Sequence, residues 1–194
     1  MYKQLNILLV NDPVKSHSML TDSLIDEGFF ITATISCQDN LVSSIQQHNP
    51  DVVVIDMETP DDMIFEQLIL VNQTFPRPVV FFAESGESDI IKKAVKTGVG
   101  AFIVDGQGSR TMRPIIELAI ERYLDTLSLR TELSETKQQL EDRKTIERAK
   151  GILMKQKNIS EDAAYKTIRK IAMQKNKKII DIAHNVIELS SIFE

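Results

Sequence analysis

The chain has 194 residues, 42% of them hydrophobic, and its formal net charge of −5 conceals two regions of opposite sign. From Arg143 to Glu194 there are 12 Lys/Arg against 6 Asp/Glu, whereas the first 142 residues hold 11 against 22. Cys37 is the only cysteine and the three histidines are scattered, which excludes an internal disulfide and a cysteine-based zinc site, and no apolar run reaches the roughly 18–20 residues of a membrane-spanning helix. An acidic regulatory part and a basic part built for a polyanion follow from the asymmetry. Without a secretory leader pattern, the expected location is cytoplasmic.

Leu5 to Val10 reads as a buried strand ending at Asn11-Asp12-Pro13. Met19, Leu20 and Leu24 then recur at helical spacing before Gly28, and Phe29 to Thr34 reads as a second strand. A polar helix (about Gln38 to His48) leads through Pro50 into a third strand, Asp51 to Asp56. Phe65, Leu68, Ile69 and Val71 mark another helix, Pro78 to Ala83 a fourth strand, Asp89 to Thr97 a helix, and Ala101 to Val104 a fifth strand. Near-continuous apolar strands alternating with helices predict an α/β, doubly wound parallel sheet covered on both faces. In such sheets ligands gather at the carboxyl ends of the strands, where Asp12, Asp56 and Asp105 stand.

Strand order, the Asp12/Asp56 pair, the Asp56-Met57-Glu58-Thr59-Pro60 turn and the Gly98–Val104 approach resemble the receiver domain of two-component response regulators, of flavodoxin-like fold. The resemblance implies that Asp56 is equivalent to the phosphoacceptor and that Asp12 and Asp56 could hold Mg²⁺, no cofactor being required. The match is partial. Asn11 replaces one usual acid, Ala83 the Thr/Ser hydroxyl (Ser85 is nearby), and Asp105 the usual Lys. A carboxylate at that last place would repel an aspartyl phosphate of about −1.5 to −2 charges. A degenerate receiver is therefore preferred over a phosphorylation switch, with control by protein contact. Phe102 and the Ile90–Val95 helix lie on the face receivers use for docking, although Phe102 reads first as a core residue.

From Arg113-Pro114 one long helix is predicted, with no Gly or Pro before Gly151. Ala119, Thr126, Leu129, Leu133, Thr136 and Leu140 approximate a seven-residue repeat, with Glu132, Glu135, Lys137 and Glu141 solvating its outer face. A short homodimeric coiled coil through Leu129, Leu133 and Leu140 is expected, the alternative being a helix folded back on its own domain.

Beyond it, Ile146, Ile152 and Leu153 are spaced to face neighbouring helices, and Gly151 costs roughly 1 kcal/mol in a helix interior. Ser160 is a good N-cap followed by Glu161-Asp162. Ala164, Ile168, Ile171 and Ala172 form a second apolar stripe, and Ile179, Ile182, Ala183, Val186 and Ile187 a third. The run Ile146–Met154, then Ser160–Tyr165, Ile168–Ala172, Asn176 and Ile182-Ala183 resembles the three-helix ANTAR domain of RNA-binding transcription antiterminators, NasT-like and related to AmiR. The family implies binding to tandem stem-loops in leader mRNA, nitrate or nitrite assimilation genes as targets, and a partner sensor of periplasmic-binding-protein-like fold. Phosphates give affinity and unstacked loop bases give selectivity. Arg148, Lys150, Arg169 and Lys170 would neutralise phosphates, Tyr165 would stack on a base, and Ala149 and Gly151 would let RNA come close.

The expected organisation is a receiver-like domain over residues 1–122, a coiled-coil helical linker over 123–143 and an all-α module over 144–194. The competing function is a phosphorylation-driven regulator with a DNA-binding output. An enzyme has little support, because no phosphate-cradling Gly-rich loop, nucleophile motif or metal-ligand cluster is present in the sequence.

Overall fold

Valine- and isoleucine-rich runs become the inner strands of a five-stranded parallel sheet. In a computed structural model, residues 4–12, 19–104 and 112–192 are described, so Asp105 lies outside the described residues. The strands are β1 (Asn6–Asn11), β2 (Phe30–Ser36), β3 (Val52–Met57), β4 (Val79–Ala83) and β5 (Ala101–Val104), in the order β2-β1-β3-β4-β5. The three inner strands are buried at almost every position, which is why their sequences are continuous rather than alternating. Edge strands β2 and β5 are only partly buried.

Successive strand residues point to opposite faces, and each face has its own helical cover. Leu8, Val10, Val53, Ile55 and Phe81 pack with α2 (Leu41–His48) and α3 (Asp62–Thr74) on one side. Ile7, Leu9, Val52, Val54 and Val80 pack with α1 (Met19–Asp26) and the first turns of α5 (Met112–Lys157) on the other. Asn40 and Asp61 cap α2 and α3 through side-chain oxygens, as such residues do at helix starts. Helix α4 (Ser88–Lys96) carries exposed Ile91 and Val95. Phe102 stacks on Phe81 at 5.3 Å and Phe81 on Phe65 at 6.4 Å, so its core role holds.

The start of α5 is fastened from the other side of the sheet's first crossover. Glu27 accepts hydrogen bonds from the backbone N–H groups of Met112 and Arg113, each at 2.6 Å, supplying a carboxylate where the helix leaves orphan donors. The Arg113 guanidinium donates back to the Glu27 carbonyl and lies 4.9 Å over the Phe29 ring. Gly28, at φ 81°, makes the turn between them. Ala119, expected in the heptad seam, is instead fully buried in this core, its methyl and carbonyl pressed against Gly100. Its small size serves close helix–sheet packing.

Two compact units result, Met1–Leu127 and Ser128–Glu194. In the second, α5 contributes Ala149 and Leu153, α6 (Glu161–Lys175) contributes Ala164, Ile168 and Ala172, and α7 (Ile179–Ile192) contributes Ile182 and Ala183. Ser160 caps α6, and Asn176 ends it at φ 50°, a left-handed conformation Asn tolerates.

Candidate functional site

At the carboxyl ends of the strands the first unit gathers a small polar cluster. Asn11 pairs in register with Asp56, and the Asp12 N–H donates to the Asp56 carbonyl at 3.3 Å. Both Asp12 and Asp56 are half-buried. Asn11 is 9% exposed, and its side-chain Oδ1 is buried with no hydrogen-bond partner among the described residues. An amide oxygen left unpaired beside two carboxylates is a donor set suited to a hard cation. Among the described residues, the strand ends next to Asp56 carry apolar side chains. Ala83 is a buried methyl beside Met57 and Val104. Ser85 is exposed, its N–H and that of Glu84 both donating to the Glu58 carbonyl. Any side chain at Gly86 would collide with Val104, so this loop lies closed on the end of β5. Burial, with the Asp12 and Asp61 carboxylates adding, raises the Cys37 thiol above its ordinary pKa, which keeps it protonated and unreactive.

The second unit separates the predicted RNA contacts into two groups. Arg148, Arg169 and Lys170 are exposed and hold no ion pair among the described residues, whereas Lys166 is tied to Asp162 at 2.6 Å. Tyr165 is half-exposed on the same side of α6. Residues 165, 169 and 173 are four apart, so Tyr165, Arg169 and Met173 form one ridge about 12 Å long. Met173 is 73% exposed and was absent from the expected site, though its spacing from Arg169 is the signal that finds it.

Two predicted contacts lie elsewhere. Ala149 is fully buried in the module's core, so its smallness lets α5 approach its neighbours rather than RNA. Lys150 is only 7% exposed, and its ammonium bonds Glu147 at 2.8 and 2.9 Å and Glu161 at 2.6 Å. It joins α5 to α6 and has no free valence for a phosphate. Hydrogen bonds to Glu147 and then Glu161 hold its pKa above the ordinary amine value, against desolvation. The clasp is therefore intact at neutral pH and is lost only as pH climbs through that raised value. Gly151 has no packing reason among the described residues, since a Cβ there would meet none of their atoms within 4 Å. Leu129, Leu133 and Leu140 are exposed along α5.

Residues 134–187 match the ANTAR domain family, starting earlier than the expected module. Transcriptional regulatory protein PdtaR of Mycobacterium tuberculosis is 26% identical over 182 residues, which are 94% of this chain and 89% of that protein. The Nitrate regulatory protein of Klebsiella oxytoca is 29% identical over 89 residues, 46% of this chain and 22% of that protein. A CheY-like response regulator receiver domain protein from Methanospirillum hungatei superimposes with a TM-score of 0.53 at 16% identity, covering 64% of this chain and 99% of that one, which supports the fold alone. No helix among the described residues is long and apolar enough to cross a membrane. The chain thus joins a receiver-like parallel sheet in its first unit to a region, residues 134–187, that matches the ANTAR domain family, and it is similar along most of its length to a transcriptional regulatory protein.

Proposed function

We propose that this protein is a non-enzymatic transcription antitermination regulator that binds stem-loops of leader RNA through the ANTAR domain. The observation that carries the reading is the exposed set Arg148, Tyr165, Arg169, Lys170 and Met173. It combines uncommitted cations with a ring and a flat apolar side chain, while Lys150 and Lys166 are already neutralised. Phosphate pairing plus stacking is the chemistry of an RNA loop. The name of the Klebsiella oxytoca relative, Nitrate regulatory protein, supports nitrate or nitrite assimilation genes as targets; the partner sensor of periplasmic-binding-protein-like fold is what the family resemblance implies. A homodimer through the exposed α5 leucines is the assembly. Electrophoretic binding of the intact protein to its own upstream leader transcripts, with duplex DNA as competitor, tests the reading. Stem-loop RNA should win by at least an order of magnitude at equal salt, since only unpaired loops offer free base faces to stack; preference for duplex DNA would sink it.

The first unit is read as a degenerate receiver governed by protein contact. Asn11 Oδ1, Asp12 and Asp56 are the residues that would hold Mg²⁺, whose role there would be to neutralise the carboxylates. The Ala83 and Val104 side chains offer a phosphoryl group no donor. Incubation with acetyl phosphate and Mg²⁺ should therefore label Asp56 slowly and substoichiometrically by intact-mass measurement. Rapid, complete labelling with a conformational response would restore the phosphorylation switch.

A further inference from the structure

We infer that α5 carries a second RNA surface, a phosphate track along Lys144, Arg148, Gly151 and Lys155 that seats the paired stem of a hairpin. The inference deepens the RNA-binding reading above and rests on it. These residues follow one another at intervals of four, three and four, so they stand in line on one side of the helix over about 16 Å. The core of the second unit takes the opposite side, through Ile146, Ala149 and Leu153. Lys144, Arg148 and Lys155 are exposed and Gly151 is half-exposed. Lys144 pairs with Glu141 at 2.7 Å, an exposed pair that contributes little and that a phosphate can displace. Glu147 borders the line, but Lys150 holds both its carboxylate oxygens, at 2.8 and 2.9 Å. The line therefore presents net positive charge to a polyanion.

Gly151 separates this line from an ordinary solvated face. A glycine weakens a helix interior, so a reason for it is needed. Its backbone is helical, with no positive φ. An added Cβ would meet no atom of the described residues within 4 Å. Neither conformation nor packing among those residues calls for it. The remaining physical reason is close approach by a backbone from outside, between Arg148 on one side and Lys155 on the other. Cations about one helical turn apart, with a notch between them, match a sugar-phosphate strand. Paired RNA is held in this way, by shape and backbone, whereas unpaired bases are stacked. The two helices thus divide the hairpin. The clasp bonds Glu161 to Lys150, the neighbour of Gly151 in the chain, and Tyr165 stands one turn beyond Glu161 on the same side of α6. The ring for a loop base is thereby held next to the track for the stem.

The test uses the full chain with a fluorescent hairpin from its own upstream leader transcript, and with the same loop on a shortened stem. Gly151→Ala should raise the melting temperature of the second unit by about 4–8 °C, the effect of one better helix former in a domain of this size. The same variant should bind the long-stem hairpin roughly tenfold more weakly, the worth of one charge-assisted contact. A more stable variant that binds as tightly as wild type would overturn the notch. A destabilised variant would show that the glycine serves the fold, and would overturn it too. Lys144→Gln combined with Lys155→Gln leaves the notch and the core in place. On the long stem it should flatten the slope of log affinity against log salt by about two units, and on the shortened stem leave affinity unchanged. Equal losses on both hairpins would put these lysines at the loop, and no loss on either would leave them solvated; each result overturns the track. A wild-type chain that binds neither hairpin at low salt would instead remove the RNA-binding reading beneath it.

Discussion

Replacing Arg148, Arg169 and Lys170 together by alanine should abolish measurable stem-loop RNA binding at physiological salt while leaving the helical content of the second unit unchanged. None of the three contributes to the module's core or to an ion pair, so little folding energy rests on them. Each phosphate contact by a cation is worth about 1.5–3 kcal/mol, or roughly tenfold to a hundredfold in affinity, so three losses compound. The slope of log affinity against log salt should also flatten by about two to three units, one counterion equivalent being lost per contact. Measuring the slope separates this reading from misfolding, which would scatter affinity without a graded salt response. Wild-type RNA affinity that ignores salt, or a triple variant that binds as tightly as wild type, would refute the phosphate-led picture.

The same module marks where sequence reading stops. The exposure of Tyr165, Arg169 and Lys170 was legible because a charged or amphipathic residue off the apolar stripe of α6 has nowhere to go but the surface. Lys150 was not, because its burial depends on Glu161, which tertiary packing brings over from the next helix. Ala149 sits among basic residues, yet a small side chain is equally at home where helices cross closely, and only the fold distinguishes the two. In the first unit the inner strands declared themselves through unbroken apolar runs. Edge strand β2 starts at Phe30 rather than Phe29, since Phe30 is exposed and half-polar edge strands carry weaker patterning. The Asp12/Asp56 pair followed from strand order alone. The unpartnered Asn11 oxygen beside it and the Gly86–Val104 closure required coordinates. Ala119 fitted the heptad spacing but belongs to the core below, because the repeat begins before α5 has left the sheet.

Phe81→Ala should unfold the first unit selectively. Its ring is fully buried at the centre of the sheet and stacks on Phe65 and Phe102, so no neighbour can collapse into the space without losing its own contacts. Truncations of this kind cost about 3–5 kcal/mol, a large part of the roughly 5–15 kcal/mol that holds a domain together. The cores of the two units share no residue, so the proposed RNA-binding ridge keeps its own support in α6 and α7. Thermal unfolding followed by aromatic circular dichroism should lose its first-unit transition, which reports on the Phe cluster, while stem-loop RNA affinity persists. Ile168→Ala gives the converse, since it empties the centre of a much smaller core and should cost about 2–5 kcal/mol. RNA binding should vanish in that variant while the aromatic signal of the first unit remains. If Phe81→Ala abolished RNA binding in step with the first transition, the ANTAR domain would depend on the receiver-like unit for its fold, and control would then be read as induced unfolding in place of altered access to RNA.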